Sequence, residues 1–252
     1  MKFTNFTMQH PYRSSAVFLL IMLFVILATG MISPVLRMGN LEQLAVGDLI
    51  LATTGIFLMT RLDWWRKAGY TTGIRLAQFP LFILPLAIAL LSLGEGIRVT
   101  APLSILAFAA LTLIVGFAEE TFFRGLILTS LLPIGTTRAV VLSSFLFAAP
   151  HFLNIIGGIW DPTFTVVDSI AAFGLGITFA AIRLRTGSIW PLVGIHAIFD
   201  FTSIISLGGI DVPAQSPQVL FSSVFIGIVF IVYGLFLLRS ERTGAKGVTN
   251  AW

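Results

Sequence analysis

PLSILAFAALTLIVGFAEETFFRGLILTSLLP, residues 102–133, decides the fold. It carries only three charges, Glu119, Glu120 and Arg124, in an otherwise apolar run. A helix that spans a bilayer needs about 20 mostly apolar residues, because the hydrocarbon core is about 30 Å thick and a helix rises about 1.5 Å per residue. This stretch is long enough to do so. Pro102 stands where a helix can begin without losing a needed donor, and Pro133 stops it.

The same reading extends outward on both sides. Ser14–Leu36 contains no charge, and its apolar region from Ala16 to Ile32 exceeds the 7–15 residues of a signal-peptide core, so it reads as an uncleaved span. Further spans are expected at about 44–60, 76–94, 139–157, 164–184, 188–209 and 217–238, which makes eight. Gly157-Gly158 with Pro162, Thr186-Gly187-Ser188, and Gly208-Gly209 with Pro213 and Pro217 punctuate the later ones. Asp48 interrupts the second span, and Pro80 and Pro85 interrupt the third.

Composition agrees with the spans. Hydrophobic residues make up 57% of the 252 and charged residues 10%, against about 25% charged in soluble domains. The expected fold is all-α and polytopic: one integral membrane domain over residues 1–252, with the lipid bilayer as its solvent. The absence of cysteine excludes disulfides, iron–sulfur clusters, thiolate zinc sites and a cysteine nucleophile. The net charge of +4 points to basic cytoplasmic loops rather than to nucleic acid. With the N-terminus inside, Lys2, Arg13, Arg61, Arg66, Lys67, Arg75, Arg124, Arg138, Arg183, Arg185, Arg239, Arg242 and Lys246 fall on the cytoplasmic side, leaving only Arg37 and Arg98 opposite. Eight spans with both termini cytoplasmic follow, and the short termini fit a prokaryotic plasma membrane.

Ionisable groups inside spans cost about 2.5–3.5 kcal/mol each on insertion scales, and they mark function or buried pairs. Asp48, Glu119, Glu120, Arg124, His151, Asp168, His196 and Asp200 lie inside or beside spans. Glu119, His151 and His196 fall at about 15–20 Å from one face when counted along their helices. His196 and Asp200 are i, i+4, as are Phe147 and His151 and the pair Glu120 and Arg124. Glu119 lies about 100° round from Glu120 and so can face a different neighbour. Pro150 removes a backbone donor just before His151. Glu120–Arg124 reads as a structural ion pair, Phe147 alone as core packing, and Asp48 and Asp168 as pairing or packing groups near span ends. A carboxylate and an imidazole at one depth can deprotonate a water for attack on an amide, and a second histidine can serve the oxyanion. The same groups could bind a metal with open positions or relay protons in a transporter. A transporter predicts inverted repeats, and none is visible.

Glu119-Glu120-Thr121-Phe122-Phe123-Arg124 reads as E-E-x-x-x-R, Phe147-Ala148-Ala149-Pro150-His151 as F-x-x-x-H, and His196-Ala197-Ile198-Phe199-Asp200 as H-x-x-x-D. In this order the residues resemble the CAAX-protease and bacteriocin-processing (CPBP) intramembrane endopeptidases, over about residues 100–205. The resemblance implies a conical intramembrane site in which Glu119 and His151 activate water, and His196 and Asp200 form the oxyanion site. Glu120, Arg124 and Phe147 would support them. It implies a membrane-associated peptide or protein substrate and no catalytic cofactor; a zinc alternative would use His151, His196 and Glu119. The prenyl-protein proteases of the family carry Asn where this chain has Asp200. An ionised Asp cannot donate to an oxyanion, so Asp200 must be protonated, orient His196 or ligate a cation. A non-catalytic immunity or binding role on the same scaffold is the competing reading.

Overall fold

The computed structural model describes residues 7, 9–156, 161–210 and 217–244. Among them no strand occurs. Helices follow one another as α1 (Pro11–Leu36), α2 (Asn40–Leu62), α3 (Pro80–Leu91), α4 (Pro102–Ile134), α5 (Thr136–Ile155), α6 (Pro162–Thr186), α7 (Trp190–Leu207) and α8 (Pro217–Gly244). Every one except α3 has the length and apolar composition to cross a membrane, seven in all. Large apolar side chains such as Phe24, Met31, Leu103, Leu106, Phe221 and Phe236 point outward, as lipid-facing surfaces require. The chain is a polytopic α-helical membrane protein.

The third span departs from expectation. Leu76–Gln78 is a separate 3₁₀ turn, and α3 tightens to 3₁₀ geometry over Ser92–Glu95. The apolar helix Pro80–Gly94 reaches about 22 Å, short of a hydrocarbon core. Pro80 at its start and Gly96 at φ 94° after it account for the shortness. Yet α3 still joins the two ends of the bundle. At its start Gln78 Nε2 donates to the Arg185 carbonyl, and the Leu81 carbonyl accepts from Tyr233. Thr202 donates to the Ala89 carbonyl, and beyond the helix Arg98 N–H and Val99 N–H donate to Ile205 O. It therefore runs parallel to α7 from end to end, and the alternation of helix direction survives.

One end of the bundle gathers the segment after α2, the α6–α7 turn and the close of α8. Arg183 is buried there and donates to the carbonyls of Ala68 and Lys67, while Ile189 N–H and Trp190 Nε1 donate to Gly69 O and Tyr70 O. Gly69 has φ 83°, and a Cβ there would lie 2.5 Å from the Gly187 carbonyl. Arg124 does not belong with these loops: it is buried within α4, so it leaves the loop tally. Gly157-Gly158, Pro213, Lys2 and Lys246 lie outside the described residues. In the interior α6 packs closely on α8 through small residues, Gly174 against Gly227 and Gly234 against Ile177 and Thr178.

Candidate active site

Glu119 and Glu120 close the α-helical part of α4, and Thr121–Ile127 continue it as a π-turn whose seven residues are all buried. Thr121 donates its hydroxyl to the Phe117 carbonyl at 2.6 Å and meets the Tyr70 hydroxyl. Gly55 and Gly125 let α2 lie against the turn; a Cβ on Gly55 would lie 2.7 Å from Thr121 Cγ2. Wide turns of this kind concentrate at functional sites because they re-aim side chains within a helix.

Glu120 is the hub. One oxygen, Oε1, accepts from Arg124 Nη1 at 2.9 Å and contacts His196 Nδ1, also at 2.9 Å. A carboxylate paired with a guanidinium is acceptor-only, so His196 Nδ1 carries the proton of that bond. Nε2 of the same ring is thereby turned toward Glu119, at 3.7 Å, and Asp200, at 3.6 Å. Those separations exceed a direct hydrogen bond. Contrary to the expectation that the two glutamates face different neighbours, both meet His196, one at each nitrogen.

His151 stands on the other side of Phe147. The α-helix of α5 ends at Ala148, and Ala149–Phe152, containing Pro150, tightens to a 3₁₀ turn that presents the imidazole. The Phe147 ring lies edge-on to both imidazoles, with centroids 5.9 Å from His151 and 6.0 Å from His196. The Arg124 guanidinium stacks over the same ring at 4.2 Å and over Phe179 at 5.3 Å. Phe147 is thus a partition within the site as well as core packing. His151 and Glu119 are not in ion-pair contact; the carboxylate nearest His151 Nε2 is Asp168 of α6, at 3.7 Å. His151 Nδ1, Glu120 Oε2 and Arg124 Nη2 are buried and meet no hydrogen-bond partner among the described residues.

Two acids therefore join the group that sequence reasoning placed outside it. Asp168 pairs as expected, but its partner is a residue of the site. Asp48 lies on the inward stripe Asp48, Leu51, Gly55, Met59 and Leu62 of α2, and it interacts electrostatically with Glu119, Asp200 and His196. Its signal in the sequence was an acid where the stripe's spacing calls for an apolar residue. The residues named for a zinc alternative, His151, His196 and Glu119, are not drawn together as a set. His196, held at Nδ1 by Glu120, keeps Nε2 beside Glu119 and Asp200, but His151 turns to Asp168, and among the described residues no three His, Asp or Glu side chains converge on one point.

Residues 101–202 match the family model described as type II CAAX prenyl endopeptidase Rce1-like. The matched stretch runs from α4 into α7 and holds Glu119, Glu120, Arg124, His151, Asp168, His196 and Asp200, while Asp48 lies outside it. No curated protein matches the chain.

Proposed function

We propose that this chain, whose residues 101–202 match the type II CAAX prenyl endopeptidase Rce1-like model, hydrolyses a peptide bond of a membrane-associated peptide or protein with a Glu- and His-activated water. The observation that carries the reading is the fixed His196: buried Glu120 holds its Nδ1, and its Nε2 faces Glu119 and Asp200. In this reading Glu119 takes a proton from water, and the oxygen bonds to the substrate carbonyl carbon. Held through Nδ1 by an ionised carboxylate, His196 can also carry a proton on Nε2, and that N–H donates to the oxyanion as charge develops. Asp200, one turn along the same helix face, orients or shares that proton. As the tetrahedral intermediate collapses and its C–N bond breaks, the proton taken by Glu119 passes to the leaving amine, with His151 across Phe147 relaying it. No step requires a cofactor.

Cleavage of a membrane-peptide library by the purified, chelator-treated protein tests this, beside Glu119→Gln and His151→Ala. Loss of a general base typically costs about 10²–10⁴ in rate. Activity that survives chelation and disappears in both variants is the expected result. Activity lost to chelator and restored by zinc overturns the cofactor-free mechanism. A folded wild type no better than its variants overturns the peptidase reading and leaves the immunity or binding role.

A further inference from the structure

The cluster is not equally open at its two ends. Side-chain exposure is 0% at Glu120, 2% at Arg124 and 6% at His196, then 25% at Glu119 and His151, 28% at Asp168 and 33% at Asp200. His196 lies nearer one end of the bundle, and His151, Asp168 and Asp200 lie nearer the other, while Glu119 stands beside buried Glu120 near the middle of α4 and Asp48 is itself buried. His196 lies six residues into α7 from the basic end, about 9 Å. His151 stands four residues from the close of α5 and Asp168 six from the start of α6, so both lie within about 6–9 Å of the other end. Asp200, seven residues before the close of α7, and Asp48, eight from the start of α2, are about 10–12 Å from that end.

Toward the basic end the cluster is covered. The Arg124–Glu120 pair is capped by Phe147 and Phe179, and Phe122, Phe123, Leu126 and Ile127 of the π-turn are fully buried. Beyond them Tyr70 meets Thr121, and Arg183 ties the segment after α2 to the α6–α7 turn. Loop charges fall the other way. Arg61, Arg66, Lys67, Arg75, Arg138 and Arg185 cluster at the closed end, while the open end carries Arg37 and Arg98. Short loops rich in Lys and Arg stay in the cytoplasm.

We propose that the site is entered from the end of the bundle opposite the basic loops, so that its substrate is a peptide segment presented at the extracytoplasmic side of the membrane. The opening stands on exposure and helix position; the peptide substrate rests on the function proposed above. A prenylated cytoplasmic tail would have to reach the site through the Arg124–Phe147–Phe179 plug. A peptide lying at or emerging from the outer leaflet meets Asp168, Asp200 and His151 first.

The chain has no cysteine, so single introduced thiols report access without background. Ile97→Cys marks the open end and Arg66→Cys the basic end, both at exposed positions. Asp168→Cys and Asp200→Cys, made separately, mark the cavity. In intact cells producing the full chain, a membrane-impermeant maleimide is expected to label Ile97→Cys and both cavity thiols, and to label Arg66→Cys only after permeabilisation. Labelling of Arg66→Cys in intact cells, with Ile97→Cys protected, overturns the assigned side. Cavity thiols that react together with Arg66→Cys, or only after denaturation, overturn the opening. In oriented proteoliposomes, an impermeant peptide is expected to be cut only when the Ile97 side faces it, and equal cutting in both orientations overturns the substrate assignment. Protein that labels as expected yet cuts nothing in either orientation refutes the peptidase reading and leaves the opening intact.

Discussion

Glu120→Gln keeps the volume of a buried side chain and removes its charge, which isolates what that charge holds. Two bonds of 2.9 Å converge on Oε1, from Arg124 and from His196. Charge-assisted hydrogen bonds contribute about 1.5–3 kcal/mol each. Removing one partner of a buried ion pair costs about 3–5 kcal/mol, because the other charge is left without compensation. Arg124 would retain only the faces of Phe147 and Phe179, and rings stabilise a desolvated cation by about 2 kcal/mol. The expected loss for Glu120→Gln is therefore about 3–5 kcal/mol, read as a lowered midpoint in thermal or denaturant unfolding of the purified protein. Replacing both partners with apolar groups of similar size is often neutral. The double variant Glu120→Leu with Arg124→Met is expected to regain most of the stability. It does not regain cleavage, since His196 Nδ1 has lost the acceptor that fixes the ring; loss of an oxyanion donor costs about 10²–10³ in kcat. A Gln variant within about 1 kcal/mol of wild type refutes the buried-charge argument. A stable double variant with full activity refutes the role of Glu120 in orienting His196.

Asp168→Asn is expected to lower kcat about 10–100-fold, the cost usual for an outer residue that orients a histidine, with KM little changed; Asp168→Glu recovers part of the loss in the same steady-state assay. An unchanged kcat removes Asp168 from the site. Gly69→Ala is expected to destabilise by about 1–3 kcal/mol or more, since φ 83° is strained for a side chain and the new Cβ would press on Gly187 O and the Arg183 guanidinium. Gly73→Ala, with nothing within 4 Å of its Cβ, serves as the neutral control, and equal melting of the two variants contradicts the clamp. Gly174→Leu is expected to separate α6 from α8, because its Cβ would collide with the Gly227 carbonyl; crowding a packed seam costs about 1–3 kcal/mol, seen as a lower unfolding midpoint.

The spans were legible because the bilayer constrains them strongly: length, apolar composition and proline or glycine edges place all the helices except α3 within a few residues. α3 was over-extended because hydropathy continues through 76–94 while Pro80 and Gly96 break the helix that would carry it. Spacing within one helix was equally readable. Glu120 with Arg124, and His196 with Asp200, meet as i, i+4 geometry dictates.

Partners on different helices were not readable in this way. Periodicity says which face a side chain occupies but not which neighbour that face meets. Glu120 therefore read as the partner of Arg124 alone, although its oxygen also holds His196 from α7. The π-turn compounds this, since a local change of pitch after Glu120 alters the facing of every residue beyond it, and no spacing rule announces it. Asp168 illustrates the general case. Nothing in α6 assigns it a partner, and only the 3₁₀ turn at Ala149–Phe152 turns His151 toward it. What remains readable is energetic: an acid in an apolar span costs too much to stand unpaired, so Asp48 and Asp168 call for partners among the other polar or ionisable groups. Asp168 meets that demand at His151, a pairing that only the packing of α5 against α6 reveals.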